Sequence, residues 1–398
     1  MSKTTHLPSF YVFVGILVAA TAANSLYLHV NPPLQDSLNR VKLLNQQFDV
    51  AAEFITPGET STQDALFADV LGTDDAERPT YKGLIATLHQ PSDKDAILIL
   101  EPHAPMPDDV LQSIADKYKA IVPELESVEL DQNIDLESTD TSDEVSEDLS
   151  KVGDADQGKK SIRVAVLDSG IDVNHDVFKN ITLLDGWNTV GDNEDVSDDV
   201  GHGTHVAGII AMNSSNIELI PYKVVSKSAG RLSNVLKALK KVLNDDVDVV
   251  NMSFGFSKGS VALESILQEL NDEGVTFIAA AGNKNESAPF YPADYDNVIA
   301  VAATDMYGNK LPKSNFGDWV DVAAYGYNIL SAVPDQKYKK MTGTSQATAL
   351  VTAKFIDYLQ SNAVDSDTFE EKLENFTKLY STPIAKGYLK GKAFISSN

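Results

Sequence analysis

Arg163-Val-Ala-Val-Leu-Asp168-Ser169-Gly170 is a short apolar run, rich in β-branched residues, that ends in an acid and a turn. Bounded in this way, it reads as a buried strand. Downstream, Gly201-His202-Gly203-Thr204-His205 leads into Val206-Ala-Gly-Ile-Ile-Ala211, which continues as a buried helix. Leu219 to Val225 is a second strand, and Leu232 to Leu243 has helical amphipathic spacing with lysines on its outer face. Val247 to Met252, Val275 to Ala281 and Val298 to Ala302 are further strands, with a helix at Val261 to Leu270. Strands alternating with helices predict an α/β fold: a three-layer, mostly parallel sheet with helices on both faces. In such sheets the working groups gather beyond the carboxyl ends of strands. Asp168 ends one strand, and Asn283 follows the end of another.

Asp168, His202 and Ser345 each lie in a glycine-marked segment, the last being Gly343-Thr344-Ser345-Gln346-Ala347-Thr348. One acid, one imidazole and one hydroxyl are the parts of a nucleophilic hydrolase triad. Gln346 to Tyr358 is alanine-rich with a helical pattern, so Ser345 falls at a helix N-terminus, where developing negative charge is stabilised. Gly201 and Gly203 allow close backbone approach around His202. Competitors stand nearby: His205 about one helical turn on, His175 in Asp172-Val-Asn-His-Asp-Val-Phe178, and Asp172 four residues after Asp168.

Together with Ala279-Ala-Ala-Gly-Asn283, and in this chain order, these segments resemble the subtilisin-like serine proteases from about Ile162 to Ala353. A looser echo follows at Gly387 to Ala393. The resemblance implies a subtilisin-like serine endopeptidase preceded by a small α+β prodomain. It assigns the base to His202, its orientation to Asp168 and the nucleophile to Ser345, leaving His205, His175 and Asp172 structural. It implies that Asn283 donates its amide to the oxyanion. Ser253, Phe254 and Gly255 would pair with an extended peptide substrate and form one wall of a pocket, with Ala280, Ala281 and Gly282 opposite. Phe290 would narrow that pocket and favour small or medium residues.

Departures from the family are Gln346 where methionine is usual, Ala349 where proline is usual, and a short Asn213 to Leu219 segment. This chemistry requires no cofactor. The acidic loop Asp192 to Asp199 offers hard oxygen ligands suited to Ca²⁺, which the family often binds, although its spacing matches no familiar calcium loop. Two other readings stand beside the endopeptidase. One is a catalytically silent binding or scaffold protein on the same fold, which the four chemical groups disfavour. The other is an ester hydrolase, which the lack of a Gly-x-Ser-x-Gly elbow around Ser345 disfavours.

The chain's 398 residues suit two domains with extensions, and 43% of them are hydrophobic, enough for a substantial core. Cysteine is absent, which excludes disulfides and thiol chemistry. The net charge of −26 is uneven, with residues 1–160 holding 28 acidic against 11 basic side chains. Such a chain repels phosphates, which argues against nucleic-acid binding. Leu7 to Val30 is mostly apolar behind Lys3, with its densest part at Phe10 to Ala20. Ala20-Thr21-Ala22 offers a signal-peptide cleavage pattern, whereas Leu26-Tyr-Leu28 prolongs the stretch toward a membrane anchor. Both readings of residues 1–30 place the rest outside the cytoplasm, secreted or membrane-anchored. Residues 31–136 read as the propeptide region, with an α+β core around 80–135 containing a strand at Ala96 to Leu100 and a helix at Asp108 to Tyr118. Residues 137–161 carry no base before Lys151 and read as an acidic flexible linker holding the processing site. Residues 162–398 are the catalytic domain. The partners expected are protein or peptide substrates and the chain's own propeptide.

Overall fold

The computed structural model describes residues 32–48, 50–55, 82–88, 96–102, 104–136, 139–140, 160–227, 230–361, 368–384 and 389–395. The apolar stretch at 1–30, and residues 137–138 and 141–159 of the stretch read as a linker, lie outside them. The N-terminal region contains α1 (Pro32–Phe48), β1 (Val50–Ile55), β2 (Leu84–Leu88), β3 (Ala96–Pro102), α2 (Asp108–Ile121) and β4 (Leu125–Leu130). Its four strands form an antiparallel sheet in the order β1-β3-β2-β4. This α+β body begins earlier than the expected core, because α1 and β1 belong to it.

Side chains alternate across a strand. On β2 and β3, Leu84, Ala86, Leu88, Leu98 and Leu100 therefore face α1 and α2 and share a core with Leu38, Leu111 and Tyr118. The opposite face, carrying Ile85, Ile97 and Ile99, belongs to a core of the larger body that follows.

That body starts after the short strand β5 (Thr139–Asp140) and contains β6 (Ile162–Asp168), β7 (Thr182–Leu183), β8 (Trp187–Asn188), α3 (His202–Asn213), β9 (Ile217–Lys223), α4 (Leu232–Val242), β10 (Val249–Met252), α5 (Val261–Asp272), β11 (Thr276–Ala280) and β12 (Val298–Thr304). It continues with β13 (Val322–Tyr325), the hairpin β14 (Ile329–Val333) and β15 (Lys337–Thr342), α6 (Thr344–Ser361), α7 (Phe369–Tyr380), β16 (Ser381–Pro383) and β17 (Ala393–Ile395). The main sheet runs β16-β17-β13-β12-β11-β10-β6-β9-β7. Its pairings are parallel except β16 with β17. On β6, Val164 and Val166 face α3 and α6, while Ala165 and Leu167 face α4 and α5. One strand thus feeds two cores, which gives the expected three layers. After β6 the chain crosses to β9 on one side and then returns to β10 on the other. The crevice at the carboxyl ends of β6 and β10 is the switch point where this architecture places ligands.

The small sheet docks its isoleucine face on α4 and α5, and acids at its end meet both helix N-termini. Glu129 accepts from the Ser260 hydroxyl (2.7 Å), which in turn caps α5 by accepting from the Leu263 amide. Asp131 accepts from the amide (2.9 Å) and hydroxyl (2.7 Å) of Ser233 in the first turn of α4. Acids at these positions complement the helix dipoles. β5 pairs with β15, matching Asp140 to Met341 and Thr139 to Thr342. Part of the stretch read as linker is therefore a strand, held by ladder bonds that its polar composition does not announce. No helix among the described residues is long and apolar enough to cross a membrane.

Candidate active site

Asp168 sits at the carboxyl end of β6 and His202 is the first residue of α3. Gly203 explains how these two elements meet. A Cβ there would lie 2.1 Å from the Gly170 carbonyl oxygen, so only glycine lets α3 approach the loop after β6. His202 Nδ1 lies 2.8 and 3.0 Å from the two Asp168 carboxylate oxygens, and both residues are buried. Asp168 also accepts from the Ser169 amide at 2.7 Å.

Sequence reasoning placed Asp198 only in an acidic loop, but it organises this corner. One of its oxygens accepts from the Ser169 hydroxyl and the Val200 and Gly201 amides. The other accepts from the amide and hydroxyl of Thr204. An acid at the N-terminus of α3 fixes the turn from which His202 projects. The rest of the loop is engaged as well: Asp199 pairs with Lys223, Asp192 takes the Trp187 indole N–H, and Asp195 closes a turn onto Ser197. Among the described residues no group of three or more His, Cys, Asp or Glu is arranged to hold a metal ion.

Ser345 is the second residue of α6. Its Oγ lies 3.1 Å from the Ser253 carbonyl oxygen, and the Ser253 hydroxyl reaches the Ser345 carbonyl at 3.3 Å. Asn251 donates to the Ser253 hydroxyl and accepts from Thr352 one helical span along α6. This buried network ties the end of β10 to the start of α6. The neighbour Gln346 is fully buried, with neither amide atom hydrogen-bonded among the described residues.

Asn283 lies after β11, where Gly282 turns the chain with φ +96°. A Cβ on Gly282 would meet the Asn315 amide nitrogen at 2.6 Å. The Thr344 amide donates to Asn283 Oδ1 at 3.0 Å, which leaves Nδ2 as the donating end of that carboxamide beside α6. Ser253, Phe254, Ala280, Gly282, Asn283, Phe290 and Ser345 line one cavity of about 10 Å³. The Phe290 ring also packs against Gly255, where a Cβ would lie 2.2 Å from it. Ala281, also expected on this wall, is fully buried in another core.

The competing residues face elsewhere. His205 Nε2 lies 3.1 and 2.9 Å from the carbonyl oxygens of Ile329 and Lys339. His175 Nε2 is 3.1 Å from the Lys337 carbonyl and its Nδ1 accepts from Val177. Asp172 accepts the amides of Asn174 and Asp335, as a loop residue does.

A segment of the chain itself crosses this crevice. The Leu232 amide donates to the Gln132 carbonyl (2.9 Å) and the Ile134 amide to the Gly230 carbonyl (2.8 Å). Asp135 exchanges both backbone bonds with Gly255, at 2.9 and 3.1 Å. The chain thus runs as an added antiparallel strand against the segment expected to bind peptide, and Asp135 lines the small cavity with Ser345.

The subtilase family matches residues 159–372, more than half of the chain. A thermophilic serine proteinase from Bacillus sp. (strain AK1) is 33% identical over 205 residues, spanning 49% of this chain and 51% of that protein. Alkaline elastase YaB from Bacillus sp. (strain YaB) is 36% identical over 197 residues, or 47% and 51% of the two chains. Subtilisin BL from Lederbergia lenta is 32% identical over 246 residues, 59% of this chain and 89% of that one. The chain spans about half the length of the first two of these relatives. A cold adapted subtilisin-like serine proteinase of known structure superposes with a TM-score of 0.54 at 30% identity, covering 60% of this chain and 89% of its own. A lanthipeptide protease gives the same TM-score at 21% identity and shares the fold. With its matched span, its layered parallel sheet and these relatives, the chain belongs to the subtilase family.

Proposed function

We propose that the protein is an exported serine endopeptidase made as a zymogen, with Ser345 as nucleophile, His202 as general base and then acid, and Asp168 as the group that orients the imidazole. The observation that carries this reading is the buried Asp168–His202 contact at 2.8 Å at the carboxyl end of β6, in a fold that also sets Ser345 on the N-terminus of α6. Asp168 holds one ring nitrogen, so the other is the one available to take a proton in the tautomer catalysis needs. The Ser345 hydroxyl rests on the Ser253 carbonyl, and rotation about its Cα–Cβ bond redirects its proton to the imidazole. Attack on a peptide carbonyl places negative charge on its oxygen, which the Asn283 amide and the first turn of α6 stabilise. His202 then returns the proton to the leaving amine, and water completes hydrolysis by the same route. Phe290 limits the pocket before the scissile bond to small or medium side chains.

The N-terminal domain is the inhibitor in this reading. Its exit strand, 131–136, occupies the place of substrate, and β5 leaves on the far side along β15. The processing bond accordingly lies between Leu136 and Thr139. The acidic loop is left as a weak calcium candidate, since its carboxylates already hold backbone and side-chain donors. The apolar leader supplies export, as signal peptide or anchor.

Labelling with a serine-directed fluorophosphonate, after the N-terminal domain has been cut away, tests the assignment. The expected result is labelling that Ser345→Ala abolishes. An unlabelled, correctly processed wild-type chain would favour the silent scaffold instead.

A further inference from the structure

We infer that the cleft selects acidic peptide segments, with Lys284 reading an acid upstream of the scissile bond and Lys339 and Lys337 reading acids downstream. The inference rests on the endopeptidase reading and adds its substrate class.

The upstream contact is visible in the strand that fills the cleft. Asp135 is held by two backbone bonds to Gly255, and its carboxylate lies 2.5 Å from the Lys284 ammonium. Lys284 follows the oxyanion candidate Asn283 directly, so its position is fixed by the same turn. Any substrate bound in this antiparallel register presents the side chain matched to Gly255 to the same lysine.

Downstream, β5 fixes the direction of travel. Asp140 pairs with Met341 and Thr139 with Thr342. A substrate leaving in that register runs along β15 from Met341 toward Lys337. Period-two alternation places Lys337, Lys339 and Met341 on one face, and all three line a cavity of about 600 Å³ beside His202, together with Lys227. The carboxylates on that wall differ in their engagement. Asp198 accepts only from neutral amides and hydroxyls and keeps its charge, Asp199 is paired with Lys223, and Asp335 lines the same wall. With Lys223 neutralising Asp199, Lys227, Lys337 and Lys339 stand against Asp198 and Asp335 on that wall.

This positive track contrasts with a molecule of net charge −26. Overall charge repels acidic peptides, so local lysines at these positions act against the general field. The chain's own sequence from 133 to 140, Asn133-Ile-Asp-Leu-Glu-Ser-Thr-Asp140, contains three acids and no base.

The experiment uses the processed protein and a quenched fluorescent peptide carrying residues 133–142, with twins in which Asp135 or Asp140 becomes Asn or Lys. A half-exposed ion pair is worth little in water, so Asp135→Asn is expected to lower kcat/KM about 3-fold and Asp135→Lys about 10-fold, mainly through KM. Added salt narrows these ratios. Lys284→Glu reverses the preference at that position and leaves the one at Asp140 in place. Lys339→Glu does the opposite. Fluorophosphonate labelling of every variant is run alongside. Labelled enzyme that cuts acidic, neutral and basic peptides equally overturns the inference alone. Enzyme that neither labels nor cuts any peptide overturns the endopeptidase reading, and the inference falls with it.

Discussion

The two sheets of this protein solve different problems. The ten-stranded sheet is parallel but for its β16–β17 edge and covered by helices on both faces, and the core it forms with α3 and α6 is complete within residues 160–395. The four-stranded sheet has helices of its own on one face only. Its other face, with Ile85, Ile97 and Ile99, is covered by α4 and α5 of the larger body. The large sheet builds a site at its switch point, while the small one is half an interface. A body that borrows part of its core depends on the partner that completes it and loses stability when the two are separated.

The largest effect should come from the large sheet's chemistry. Ser345→Ala is expected to lower peptidase activity on the order of a million-fold, because the triad acts as a unit. Steady-state kinetics on a general peptide substrate measures this, and a fall of less than a hundred-fold would place the nucleophile elsewhere. Asn283→Ala should cost about 10²–10³ in kcat with little change in KM, as expected for a donor that matters only once charge develops. A change confined to KM would make Asn283 a substrate contact.

The shared core predicts a smaller, structural effect. In the uncut chain carrying Ser345→Ala, Ile99→Ala removes a fully buried side chain and should cost about 2–4 kcal/mol. Denaturant unfolding reads it, and the comparison sharpens if the small domain separates first. An unchanged transition would mean that the isoleucine face contributes nothing to docking.

The smallest effect is in pH. Burial pushes the Asp131 carboxyl up from 3.8 to about 6 despite its bonds from Ser233, and it raises Glu129 in the same direction. A raised carboxyl favours its protonated form in the docked state. Its contribution is therefore complete below pH about 4 and is lost as pH rises through about 6. Melting the Ser345→Ala chain across that window should show a fall on the order of 2 kcal/mol that Asp131→Asn removes. An identical slope in the variant would assign the dependence to other groups.

The large sheet was largely legible in the sequence because its signals are local. The alternation in Val164-Ala-Val-Leu167 marks a strand buried on both faces, and glycines mark the turns that carry Asp168, His202 and Asn283. Gly203 was readable as a close approach, though not that the approach is to the Gly170 carbonyl. The long-range contacts were not legible. Asp131 finds its partner Ser233 over a hundred residues away, and Asp198 looks like any acid in a polar loop until α3 is placed above it. β15 escaped notice because Lys337-Tyr-Lys-Lys-Met341 lacks the apolar alternation of a core strand, its lysines facing a cavity instead. In α1, Leu38, Val41 and Leu44 do have helical spacing, but their partners lie on a distant sheet.

A protease cleft that holds Asp168, His202 and Ser345 and is closed by the chain's own strand should cut its own chain. Intact-mass measurement of the purified wild-type and Ser345→Ala chains, incubated separately, tests it most directly. The expected result is that the wild type separates into two fragments cut between Leu136 and Thr139, while the variant stays whole. A Ser345→Ala chain that matures alone to the same fragments would contradict it.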